Sequence, residues 1–253
     1  MLALAWGAAA RGQTTEKVVL VELFASQGCD LCPKAEQLLG KLAGDSRIAV
    51  VSFHVDYFND PWKDPFADPR FSEREAEYSR IYDRTNKLNN PGYLYLTPLI
   101  MVDGQFPLVG SNADAESRAR AAINSALRRS AELSLKVDVK SNTRSVVELE
   151  VRALPTGRKA VPKDLLLAAV LVQHEVRTAV ESGELKGKSY NGKYVARSFR
   201  AEPAPGGNSP ASLSLTLPAD APRDSLSLVV FAQEERTGRV LQAMRMDLPR
   251  PVE

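Results

Sequence analysis

The sequence predicts an α/β unit of order β-α-β-α-β-β-α followed by an all-β, sandwich-like unit. Three observations carry this. Apolar, β-branched runs at residues 18–25 and 48–57 bracket one amphipathic helical segment, the pattern of two parallel strands joined by a right-handed crossover. A further helical stretch, a hairpin signal at Asp103-Gly104 and another helix complete the first half. From about residue 132 onward, seven strand-like segments follow one another with Gly, Pro and Ser turns between them and no helical periodicity. The expected organisation is a leader-like stretch at 1–12, an α/β unit at 16–131 and a sandwich-like unit at 132–253.

The whole chain, 253 residues, is long enough to bury two cores. Its 33 basic and 31 acidic residues leave a formal charge of +2 spread along the sequence, so charge makes no case for a nucleic-acid partner. No apolar run approaches the roughly 20 residues that span a bilayer. The first residues, "MLALAWGAAARGQ", resemble the apolar core and small-residue cleavage site of a secretory signal without its charged start; a plain tail is the alternative. Export implies a periplasmic or secreted location, where a close cysteine pair persists as a disulfide.

Taken in order, "VVLVELFA" is a strand buried on both faces, interrupted only by Glu22. After a Ser-Gln-Gly turn, "CDLCPKAEQLLGKLAG" places Leu31, Ala35, Leu38, Leu39 and Leu42 at helical spacing, and "IAVVSFHVDY" is the second buried strand. Asp-Pro pairs at 60–61, 64–65 and 68–69 make the next segment a loop that carries Trp62 and Phe66. "SEREAEYSRIYDR" opens with a capping box, Ser72 to Glu75, and runs on as a helix. A second loop, "NKLNNPGYLYL", leads to Thr97-Pro98 and the hairpin, and the last helix of this half starts at Asn112 or Asp114.

The chemistry centres on Cys29 and Cys32, the two cysteines of the chain. A Cys-x-x-Cys pair is a redox dithiol, part of a metal site or a small structural loop. Here it stands at the mouth of a helix, whose free N–H groups and dipole favour a thiolate at Cys29. One turn brings Cys32 back beneath it as the resolving thiol. Pro33 is tolerated only in a first helical turn, which also places the helix start at the motif.

His54 ends the second strand beside that helix mouth, where it can stabilise a thiolate, shuttle a proton, join the cysteines on a metal, or simply hydrogen-bond the following loop. Glu22 is a carboxylate inside a buried apolar run, costly there unless it is paired or protonated, or unless it finds solvent or a lysine. Tyr57 and Trp62 are candidate walls of a substrate groove, or anchors of a long loop. His174, in the β-rich half, reads as structural.

The segments "VELFASQGCDLCP", "FHVDYFND" with "WKDPF", and "YLTPLIMVDG" resemble a secreted bacterial family of thioredoxin-like proteins of unknown function, closely over residues 17–130 and loosely beyond. Ala25, Phe58 and Leu96 depart from its usual Thr, Trp and Tyr. The resemblance implies a thioredoxin-like fold with a cis Pro98 facing the cysteines, an edge at Thr97 for an extended substrate, and export. The reading is thiol–disulfide exchange with protein thiols or disulfides, in which Cys29 is the nucleophile, Cys32 resolves, Pro98 shapes the groove and Glu22 or His54 moves protons. No cofactor is called for. The rivals are a copper-binding protein using Cys29, Cys32 and His54, and a non-catalytic scaffold whose β-rich half binds a partner.

Overall fold

The computed structural model describes residues 11–85, 93–158, 160–206 and 209–249. Most of the leader-like stretch and residues 86–92 of the second loop lie outside them. The described chain is mixed α/β, mostly strands in two sheets with three α-helices.

The order in the first half follows the hydrophobic pattern: β2 (Val19–Ala25), α1 (Cys32–Leu42), β3 (Ile48–His54), α2 (Pro69–Arg84), β4 (Leu99–Val102), β5 (Phe106–Val109) and α3 (Ala115–Leu127). β1 (Arg11–Thr14) precedes it, a strand the sequence analysis did not anticipate, and pairs antiparallel with β6 (Leu133–Asn142). β2 runs parallel to β3 and antiparallel to β4, and β4 and β5 form the hairpin. At its turn Asp103 and Gly104 both have positive φ. A Cβ on Gly104 would stand 1.8 Å from the carbonyl oxygen of Gly238, so only glycine fits this approach.

The helix α2 begins earlier than expected. Asp68 caps it by accepting from the Arg70 N–H, and Pro69 occupies the first turn. The capping box at Ser72 is therefore corrected: Ser72 lies inside the helix and donates to Asp56 instead. The third Asp-Pro pair is a helix start, not part of the loop.

The second half supplies β7 (Val146–Pro155), β8 (Leu165–Ala179), β9 (Ser189–Pro203), β10 (Ala211–Thr216), β11 (Leu226–Glu234) and β12 (Val240–Asp247). With β6 these are the seven expected strands, but they do not form a separate sandwich. The small sheet has the order β1-β6-β7-β10, while the other strands extend the sheet of the first half into one eight-stranded layer, β12-β11-β8-β9-β3-β2-β4-β5. The join is parallel pairing of β3 with β9 at Ser52 and Val195. The division at 131/132 thus falls between α3 and β6 in sequence, while the sheet itself crosses it.

Alternation along the strands assigns the layers. Leu20, Phe24, Phe53, Val170 and Phe231 face α2 on one side. Val21, Leu23 and Val50 face α1 and α3 on the other. Leu167, Leu171, Leu228 and Val230 pack against the small sheet, which shares that second side with α1 and α3. Because both faces are covered, β2 and β3 are buried along their full length.

Candidate functional site

Cys29 and Cys32 are free thiols, 3% and 0% exposed, at the start of α1. The turn that delivers them is tied locally: Ser26 Oγ accepts from the Gly28 N–H, the Ser26 carbonyl from the Cys29 N–H, and the Cys29 carbonyl from the Cys32 N–H. The Thr97–Pro98 peptide is cis, and the Thr97 carbonyl lies 4.0 Å from Cys29 Sγ. This is where the sequence placed Thr97 and Pro98.

The two thiols differ in acidity. A hydrogen bond from Cys32 is the main cause that brings Cys29 down to about 7, with Thr97 and the amides of Leu31 and Cys32 adding to it against the opposing effect of burial. Burial pushes Cys32 well above the usual thiol range, and its hydrogen bond to Cys29 and the nearby charges of Cys29 and Glu36 act the same way. Absorbance of the thiolate at an ultraviolet wavelength should therefore show one thiol titrating close to pH 7 and the second staying protonated past pH 9. Two thiols titrating together above pH 8 would contradict this geometry.

Behind the pair lies a fully buried charged cluster. Glu36, one helical turn after Cys32, accepts from Ser52 Oγ at 2.6 Å, from Tyr190 OH at 3.3 Å and from the Lys193 N–H at 2.8 Å. His54 stands between Glu36 (Nε2, 3.3 Å) and Asp64 (Nδ1, 2.7 Å). Burial alone would lower the imidazole pKa, but the two carboxylates outweigh it and raise it to about 10, so His54 is an imidazolium. Burial would likewise raise Asp64, yet the His54 charge and the N–H groups of Gln27 and Phe66 hold it below the usual range.

This disposes of the metal reading in its original form. Both nitrogens of His54 are engaged by carboxylates, and among the described residues no three His, Cys, Asp or Glu side chains are placed to hold a metal ion.

Glu22 is also corrected. It points to the α2 side of β2, whereas Cys29 and Cys32 pack with Val21 and Leu23 on the other side. There it pairs with Arg74 at 2.5 Å and accepts from Tyr78 OH at 2.5 Å, so it anchors a helix and cannot reach the cysteines. The buried acid near Cys32 is Glu36.

Tyr57 remains at the surface, its ring 4.4 Å from that of Tyr95 and its hydroxyl donating to Glu75. Burial raises Glu75 to about 8 although Tyr57 and the Leu96 N–H favour its charge. Trp62 is not an open wall: it packs into the cluster that holds the cysteines, against Gly183 of the loop between β8 and β9. Among the described residues, the ring of His174 lies against that of Tyr194, which itself packs at the margin of this cluster.

The elements that sequence reading missed are Glu36, Asp64 and the β8–β9 loop. Glu36 carried a signal, since a carboxylate next to Ala35 and one turn from Cys32 falls on the apolar face of α1. The loop carried none, because no local pattern ties residue 184 to residue 30.

No helix among the described residues is long and apolar enough to cross a membrane. No curated protein matches the chain in sequence. Among solved structures, a structural-genomics crystal structure from Agrobacterium tumefaciens is 21% identical with a TM-score of 0.62, covering 95% of this chain and 99% of that one. HBP35 of Porphyromonas gingivalis is 14% identical with a TM-score of 0.62, covering 93% of this chain and 76% of that one. At these identities the likeness is one of fold. A family described as "Protein of unknown function (DUF1223)" matches residues 20–233, a span that holds the cysteines, the Thr97–Pro98 turn and the β8–β9 hairpin. The chain therefore belongs to the DUF1223 family.

Proposed function

We propose that the first half is thioredoxin-like and that the protein performs thiol–disulfide exchange at Cys29 and Cys32. The observation that carries this reading is the pair of free thiols at the start of α1 with Cys29 Sγ 4.0 Å from the Thr97 carbonyl of a cis Thr97–Pro98 peptide, and the lowered pKa of Cys29 against the raised one of Cys32 supports it. One thiol is ready to attack and the other is held back for resolution.

Cys29 thiolate attacks one sulfur of a substrate disulfide; a Cys29–substrate bond forms, the substrate S–S bond breaks, and the leaving thiolate takes up a proton. Cys32 then loses its proton and attacks Cys29, releasing the second substrate thiol. The substrate gains two electrons and the Cys29–Cys32 pair loses them. Glu36, with His54 and Asp64 behind it, is the buried polar group nearest in sequence to Cys32 and is suited to accept its proton. The reverse sequence oxidises a dithiol by the same path.

Equilibration against glutathione buffers with trapping of free thiols tests the reading. A midpoint of about −120 to −200 mV marks an oxidant or isomerase and one near about −270 mV a reductant. Cys32→Ser should accumulate a mixed disulfide through Cys29, and Cys29→Ser should form none. A pair that never forms the Cys29–Cys32 disulfide at any glutathione poise sinks the proposal.

A further inference from the structure

The β8–β9 hairpin reaches from the second half of the chain over the cysteines. Its tip, residues 180–188, is organised internally: the Val180 N–H donates to Lys188, Gly187 to Val180, Lys186 to Gly183 and Lys188 to Leu185. Gly183 and Gly187 take positive φ, at 75° and 78°, which closes this compact turn.

Its attachment to the first half is of a different kind. Glu184 accepts from the Asp30 N–H, inside the Cys-x-x-Cys loop, at 3.0 Å; Ser182 Oγ donates to the Pro61 carbonyl at 2.8 Å; Gln27 Nε2 donates to Thr178 at 3.1 Å. Val180 and Leu185 add two apolar side chains to the cluster that holds Cys29 and Cys32. All three hydrogen bonds involve side chains, and those of Glu184 and Ser182 lie at the exposed edge. Under this cover two buried polar atoms, Trp62 Nε1 and Gln27 Oε1, have no hydrogen-bond partner among the described residues. One is a donor and the other an acceptor, the pair of functions that a peptide unit satisfies.

We infer that the β8–β9 tip is the specificity-determining cover of Cys29: it lifts as a unit to admit an extended polypeptide segment and, when seated, shields the thiol from bulky reactants. Glu184 is the latch that ties the cover to the Cys-x-x-Cys loop, and it acts through position, without touching the reacting sulfur. The inference deepens the exchange reading by naming its substrate class, but cover opening is measurable without any exchange activity.

The experiment alkylates the full-length protein with iodoacetamide and with a fluorescein-bearing iodoacetamide, reading modification of Cys29 by mass spectrometry. In both, the thiolate displaces iodide, so an S–C bond forms as the C–I bond breaks; the fluorescein reagent is both bulkier and anionic, and the rates are therefore compared at high salt, where the charge difference is screened. The wild type should react with the bulky reagent at least about tenfold more slowly, and Glu184→Ala, which removes one latch, should speed both reactions about fivefold. Gly183→Ala, which puts a side chain at φ 75°, should do the same. In wild type the alkylation rate should also rise with low urea along a slope much shallower than that of global unfolding, which keeps the test valid where a variant fails to fold. A size-independent rate, rates unaltered in Glu184→Ala, or a slope equal to global unfolding overturns the cover. Protected alkylation in a protein that never forms the Cys29–Cys32 disulfide would retain the cover and remove the exchange reading.

Discussion

Alanine in place of Arg74 is expected to destabilise the fold by about 3–5 kcal/mol, because it strands a carboxylate in the core. The Arg74 side chain is 9% exposed and Glu22 is fully buried. The guanidinium binds Glu22 at 2.5 Å through Nε, Gln233 at 3.2 Å and Tyr78 OH at 3.1 Å, and its carbon lies within 5.8 Å of the ring centres of Phe53, Tyr78, Phe199 and Phe231. The planar fork meets three partners while its faces stay against aromatic rings. Lysine, a point charge on a flexible stem, cannot reproduce that.

The loss in Arg74→Ala comes mainly from the unpaired Glu22 rather than from the worth of the pair, since desolvation cancels much of the attraction between two buried charges. The double variant Glu22→Gln/Arg74→Met should therefore recover most of the stability. Urea midpoints at constant slope check both statements. A double variant no more stable than Arg74→Ala would mean that the cation–ring packing, not the charge balance, holds α2 to the sheet.

The first half was legible where local chemistry and periodicity agree. The buried runs at β2 and β3, the Asp103-Gly104 turn and the Pro33 helix start each depend on residues a few positions apart, and each lies where its pattern predicts. Asp68-Pro69 is ambiguous in sequence because Asp-Pro serves equally as a loop and as a helix start; the side chain of Asp68 accepting from Arg70 distinguishes them. Glu22 keeps two readings in the sequence because a continuous apolar strand hides which face each residue takes. Alternation from Val21 and Leu23, once known to face α1, puts Glu22 on the other side.

The second half was legible as strands and illegible as sheets. β8, with Leu165, Leu167, Ala169 and Leu171 on one side and Ala168, Val170 and Val172 on the other, is apolar on both faces, which marks a central strand. Nothing local says that its hairpin partner β9 pairs with β3. That single join carries the hairpin tip to the cysteines, so the most consequential feature of the site depends on contacts separated by about 150 positions, such as Lys193 to Glu36 and Glu184 to Asp30.

Raising the pH should weaken the fold through the cluster behind Cys32. His54 keeps its proton to about pH 10 in the folded state against 6.5 for a free imidazole. A raised pKa means a contribution that is complete below pH 6.5 and disappears as pH climbs through 10. Glu75, raised by burial from 4.5 to about 8, acts in the same direction: its neutral form suits the folded interior, and the advantage fades between those two values. Cys29 opposes them over a smaller range. Its pKa is depressed from 9.0 to about 7, so its contribution is present above pH 9 and is lost as pH falls through 7. Asp64, held low by His54, sets the acid limb, giving stability that disappears only at strongly acidic pH. Within this window His54 and Glu75, joined near its upper end by Cys32, outweigh Cys29, and stability should fall by about 3–5 kcal/mol between pH 6 and pH 9.5. Urea midpoints at those two values measure it. His54→Gln removes the imidazolium and should be less stable than wild type at pH 6 while losing much less on going to pH 9.5; equal slopes for the two proteins would show that His54 is neutral in the fold.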